Sequence, residues 1–471
     1  MKVAVRFILV ALTCFRLHSQ APLQPGMRAQ APVSWQDVLE SVERHYPPLL
    51  AALQDRTIAE GELVTAQGAF DLTLRSLLDN NALGYYEYRR ADFWIEQPLS
   101  WQGLQLFSGW RVSDGLYPSY YGHLETRSLG EVRSGLRLPL GRDRAIDARR
   151  ANLRKSLLGR RIADLGVEQQ RLFIILSAAR RYWDWVAAGL RYRVAEGALK
   201  IAEQREELLE QAVLAGQLPA IEVEDNRRAI LQRRALLTEA LRAHQAAAIE
   251  LSLFYRDAAG SPVMLTLDHL PALIPEPKEL TDEQVQLDLA QAVQRRPELD
   301  RLAAQRHQLN IDKELADNQL LPAIDLSASF ISDHGSGMVR RGPQEFRTTL
   351  QFELPWQRRA AKGRQLAADA RLRQLDWRER YQIEQIAAEV RDAASAVQTA
   401  AERAAVLKRE VEVTRNLEDL ERTRFELGEG TLFFLNQREQ ATIEAEFRAI
   451  AALADYQRSV AAYDWAIARW R

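Results

Sequence analysis

The chain has 471 residues, 27% of them charged, a formal net charge of -1 and a mean hydropathy of -0.31. Charge this evenly balanced leaves no electrostatic footprint for nucleic acid. The lone cysteine, Cys14, has no partner for a disulfide and no thiolate set for a metal, and no segment reaches the ~18 uninterrupted apolar residues of a membrane helix.

Lys2 and Arg6 precede an apolar run, Phe7 to Phe15, of signal-peptide length and too short to span a bilayer. Residues 1–31 therefore read as a secretory signal and N-terminal tail; Leu12-Thr13 before Cys14 fits a lipidation signal poorly. An exported chain without a membrane helix is either soluble or crosses a membrane as a closed β-barrel.

Residues 34–68 read as helix, with Ser34 as N-cap, Asp37 three residues on, and a break at Pro47-Pro48. Residues 70–139 change character: aromatics and glycines rise and helical periodicity fades. Strand-like pieces are Phe93–Leu99, Leu104–Val112 and Leu129–Leu138. Trp and Tyr clusters beside apolar strands suit the girdles of a membrane barrel, and equally an ordinary soluble sheet. Residues 142–214 carry no proline and follow a helical pattern that would reach roughly 100 Å. The turn Ala215-Gly216-Gln217-Leu218-Pro219 ends this run, and a return helix continues to about 255.

Residues 256–281, with Pro262, Pro271, Pro275 and Pro277, form a linker expected to belt the helices. The same order of parts then recurs, offset by about 212 to 250 residues. Arg295-Arg296-Pro297 matches the earlier helix break. Two alternating strands, Ala323–Ile331 and Phe346–Leu354, flank a Gly/Ser/Arg loop at Asp333–Gly337. Leu354-Pro355-Trp356-Gln357-Arg358 matches the corner Leu138-Pro139-Leu140-Gly141-Arg142, and a second long helical run ends at Leu427-Gly428-Glu429-Gly430-Thr431. The repeats span 32–255 and 282–471, with hairpins at about 142–255 and 357–470 and strand regions at about 70–139 and 323–354. Val406, Val413, Leu420 and Leu427 fall seven apart, as do Val223, Ile230 and Leu237, a spacing for long helices packed side by side. Strands this few cannot close a barrel alone, since the smaller membrane barrels start at about eight; a barrel here predicts an oligomer.

This order, with Arg424-Phe425-Glu426-Leu427-Gly428-Glu429-Gly430-Thr431-Leu432 as its most specific piece, resembles the TolC-like family of outer-membrane efflux proteins. The resemblance covers about 34–470. It implies a mainly α fold with a β membrane segment, a homotrimer with four strands per chain in a shared twelve-stranded barrel, and a helical tunnel in the periplasm. The implied partners are outer-membrane lipid, a periplasmic adaptor protein and an inner-membrane transporter, with no cofactor and no bond broken. The tips Gly216, Pro219, Arg424, Gly428, Gly430 and Thr431 would dock the adaptor. Positions that are acidic at the second tip of the best-known member read Phe434 and Gln437 here, while Glu222 and Asp225 follow the first tip. The expected gate is an apolar ring of Phe433 or Phe434, with Glu222 nearby; the alternative is that these phenylalanines only pack the helix ends together.

The seven histidines are dispersed, and neither a P-loop nor a Gly-x-Ser-x-Gly elbow is present, so an enzyme is not expected. Two rivals stay open: a periplasmic adaptor, which carries one hairpin where this chain has two, and a coiled-coil scaffold without a pore, which leaves the alternating strands at 323–354 unexplained.

Overall fold

The computed structural model describes residues 32–121, 124–337 and 344–471. The segment read as a signal, with Cys14, lies outside the described residues, as do Gly122 and 338–343.

Each repeat opens with a short helix, a proline and a longer helix: α1 (Trp35–His45) and α2 (Pro47–Gln67), then α5 (Asp282–Arg295) and α6 (Pro297–Asn318). Ser34 caps α1 through a reciprocal box: its Oγ accepts from the Asp37 amide at 3.3 Å, and its amide donates to Asp37 Oδ2 at 2.7 Å. Thr281 caps α5 in the same position. Pro47 and Pro297 occupy the first helical position, where the missing N–H costs nothing.

The long helices are α3 (Ala148–Leu214) and α7 (Arg359–Glu426), each about 100 Å long. The returning helices are α4 (Ile221–Ser252) and α8 (Leu432–Ala466). Ile230 and Leu237 of α4 pack on Leu199 and Ala202 of α3, so that heptad closes its own hairpin. On α7 the heptad behaves differently: Val406, Val413, Leu420 and Leu427 all face outward, Val406 being 65% exposed. This apolar stripe has no cover within one copy of the chain.

The segment between repeats lies across the helices at mid-height. Leu265, Leu270 and Ile274 are buried against α3, and the Val33 amide donates to the His269 carbonyl at 2.9 Å. Gly189 of α3 forms the seat for Leu270, where a Cβ would stand 2.5 Å from Leu270 Cδ1. Below it, Tyr463 of α8 donates to buried Asp288 of α5 at 2.9 Å. Burial pushes the neighbouring Asp464 up to about 6, with Arg469 opposing at 2.8 Å and Asp288 reinforcing. The folded chain thus holds a proton that the unfolded chain releases between roughly pH 4 and 6, and this contribution to stability is lost as pH rises through that window. Asp464→Asn is expected to stabilise the protein at pH 7.5 by roughly 1 to 3 kcal/mol and to flatten the dependence on pH between 5 and 7.5, read from thermal melts.

The described residues form one antiparallel sheet in simple sequential order: β1 (Thr73–Asn81), β2 (Tyr88–Pro98), β3 (Gln105–Gly115), β4 (Gly130–Pro139), β5 (Ala323–His334) and β6 (Gln344–Glu353). The expected fold class holds, but the strand count is corrected from four per chain to six. The first repeat supplies two hairpins where the second supplies one, which accounts for the extra length of 70–139. β4 joins the repeats, pairing with β5 from Gly130–His334 to Pro139–Asp325.

Register sorts the side chains onto two faces. One face carries Leu74, Leu78, Phe93, Ile95, Leu106, Trp110, Val132, Leu136, Leu326, Phe330, Phe346, Leu350 and Phe352. Most of these are exposed, Leu78 by 80% and Phe346 by 69%. The other face carries Arg75, Asp92, Glu96, Arg111, Glu131, Arg133, Arg137, Asp325, Asp333 and Arg347. Charges pair there: Arg111 with Glu131 at 2.8 Å and Arg90 with Asp92 at 2.5 Å. No described helix is long and apolar enough to cross a membrane.

Candidate functional site: the paired helical tips

Both hairpins end in the same turn, and its geometry explains the glycines. At the first tip the Gly216 amide donates to the Val213 carbonyl and the Gln217 amide to the Ala212 carbonyl, at 3.0 and 2.9 Å. At the second, Gly428 donates to Phe425 and Glu429 to Arg424, at 3.0 and 2.9 Å. These are two Schellman caps, each with its glycine in the left-handed region at φ 72° and 77°. Gly430 adds a second donor to the Arg424 carbonyl at 3.1 Å, and the Arg424 guanidinium reaches the Glu429 carbonyl at 3.3 Å.

The tips touch. Leu209 and Val213 of α3, Leu218 and Val223 of the first tip, Phe425 of α7, and Leu432 and Leu435 of α8 form one apolar cluster. Thr431 sits at the N-cap of α8, but its side chain makes no capping bond. Glu222 substitutes from the other hairpin, its Oε2 accepting from the Leu432 amide at 3.3 Å, where an anion also meets the positive end of the α8 dipole. Glu222 is therefore a clasp between tips. Pro219 lies just ahead of α4, its carbonyl accepting the Glu222 amide at 3.1 Å. Asp225 stays on α4, 3.6 Å from Arg228.

Phe433, Phe434 and Gln437 lie on the outer side of α8. The two rings meet edge to face at 5.6 Å, and both side chains are about half exposed, 48% and 52%. Packing of the helix ends within this chain falls to Leu432 and Leu435, which are fully buried.

Sequence reasoning missed a buried polar lock just behind the tips. Glu439 of α8 is held by two arginines, Arg205 of α3 and Arg233 of α4, one on each carboxylate oxygen. Arg205 also donates to Asn436 Oδ1 at 3.1 Å, and Arg233 to the Ala198 carbonyl at 2.9 Å. Burial pushes the Glu439 carboxyl up, but Arg205 and Arg233 outweigh it and hold it below the ordinary range. Residues 205, 233 and 439 carry ordinary helix-surface charges in the sequence; only the approach of α8 to the first hairpin turns them into a buried triad. Among the described residues no group of three or more metal-ligating side chains comes together.

No protein-family model and no curated protein matches the chain. Solved structures do. The outer-membrane channel OprN superposes with a TM-score of 0.66 at 17% identity, over 92% of this chain and 89% of that one. The open state of the Neisseria gonorrhoeae MtrE outer-membrane channel gives 0.65 at 16%, over 92% and 88%. The Vibrio cholerae outer-membrane protein VceC gives 0.63 at 15%, over 92% and 95%. With long hairpins, capped tips and a crowning sheet in one order, the chain has the fold of the TolC-like outer-membrane channels.

Proposed function

We propose that the chain is one protomer of a trimeric outer-membrane conduit, docked through a periplasmic adaptor to an inner-membrane pump. The observation that carries this reading is the sheet. Six strands turn a mainly apolar face outward and most of their charges inward, above helices about 100 Å long. That division suits lipid on one side and water on the other. The uncovered α7 stripe supports the oligomer, since a second copy would bury it. The rival adaptor and scaffold readings leave the two-faced sheet without a purpose.

In this reading the tips around Gly216, Pro219, Arg424, Gly428, Gly430 and Thr431 meet the adaptor, and Phe433 and Phe434 narrow the tunnel end with Gln437, Glu222 and Asp225 close by. Their half-exposed rings are free to meet the other protomers at the axis. The deciding experiment is single-channel conductance in a planar bilayer beside the mass in detergent. A trimer with a small, mostly closed conductance is expected; a pore-free monomer would end the proposal. Phe434→Ala is expected to raise the open fraction and the conductance, and unchanged opening would remove the apolar gate. Protease applied to intact cells is expected to cut within Gly335–Gly342, a span whose residues from 338 on lie outside those described.

A further inference from the structure

We infer that each protomer contributes all six strands to the wall, so that three copies close an eighteen-stranded barrel whose seams join β1 of one protomer to β6 of the next; this rests on the trimeric channel reading above. The twelve-stranded alternative would set the β1–β2 hairpin aside, and four observations speak against that.

The hairpin continues the sheet without a break: β2 pairs with β3 along its whole length, from Tyr88–Gly115 to Pro98–Gln105. It keeps the two-faced pattern, with Leu74, Leu78 and Phe93 in line with Trp110 on the apolar side. Its strands, 9 and 11 residues long, match the ~9–11 residues of a tilted membrane strand. It is also clamped to the rest. The Trp94 ring covers Gly109 so closely that a Cβ there would stand 2.3 Å from it. The turn after β2 is a tight one, Gln102 and Gly103 both having positive φ, and a Cβ on Gly103 would stand 2.7 Å from the Asp143 carbonyl at the β4–α3 corner.

The edges then require a neighbour. Among the described residues β1 and β6 each pair on one side only, and open backbone edges are not tolerated in lipid. Six strands are too few to close alone. β1 leads away from α2 and β6 leads back to α7, so a rotation about a central axis sets them antiparallel. Diameter grows roughly linearly with strand number, so this opening is about 1.5 times as wide as a twelve-stranded one. The wall would pass bulkier solutes.

The test is cross-linking in membranes, in a Cys14→Ser background. Ser76 of β1, Ser108 of β3 and Thr348 of β6 all lie on the apolar side, and cysteine is close in size to each. Ser76→Cys with Thr348→Cys, treated with bifunctional thiol reagents of graded length, is expected to yield covalent trimers; Ser108→Cys with Thr348→Cys is not. The reverse pattern would mean a twelve-stranded wall with the hairpin outside it and would overturn the inference. Trimeric mass in detergent with neither pair linked would overturn the β1–β6 seam alone. Monomeric mass would overturn the trimeric channel reading itself, and the seam with it.

Discussion

Glu439→Ala is expected to destabilise the helical assembly by about 3 to 5 kcal/mol, because it strands two buried guanidiniums that the carboxylate now neutralises. Arg233 suffers most, being 4% exposed against 13% for Arg205. The loss should appear as a lower melting temperature and as easier proteolysis of the tips, with the sheet end unaffected. Replacing the whole triad with apolar residues of similar volume, as in Arg205→Met, Arg233→Leu and Glu439→Leu together, should recover most of the stability, since removing all the charges also removes their desolvation cost. If the triple variant is no better than the single one, the lock contributes by geometry and not by charge balance. Acid should act like the single variant. The folded carboxyl titrates below its unfolded value, so its contribution is present at neutral pH and lost as pH falls through the folded value.

Phe93→Arg is expected to cost about 2 to 4 kcal/mol, because Phe93 lies midway along β2 on the apolar face, where a charge would meet the centre of the bilayer. Thr349→Arg, midway along β6 on the charged face, is expected to cost less than about 1 kcal/mol, since in the proposed channel that side would meet water. Heat-resistant trimer recovered from outer membranes reads both. Equal tolerance of the two variants would place β2 away from lipid.

Much of the architecture was legible because the repeat states it twice. The corners at Pro139 and Pro355 mark where a strand ends, and the glycine turns at Gly216 and Gly428 mark where a helix cannot continue. β5 and β6 alternate cleanly enough to be read directly. β1 did not: Leu77 and Leu78 are adjacent and fall on opposite faces of the strand, so the period of two is blurred and only pairing with β2 reveals it. At the tips, Thr431 is a good capping residue by type, yet Glu222 from the other hairpin takes the bond. The Glu439 triad was hidden for the same reason, since contacts between hairpins leave no local periodicity.

The seat of Leu270 on Gly189 has a mechanical meaning. It grips α3 near mid-length, where Arg193 also donates to the Leu267 carbonyl, leaving residues 194–214 to project beyond the belt for roughly 30 Å. A clamped beam bends mainly beyond its clamp, and its compliance rises steeply with free length. Any bending of the tips relative to the belt would then have to carry α3, α4 and α8 together, because the Glu439 triad and the apolar cluster at the tips tie them into one body.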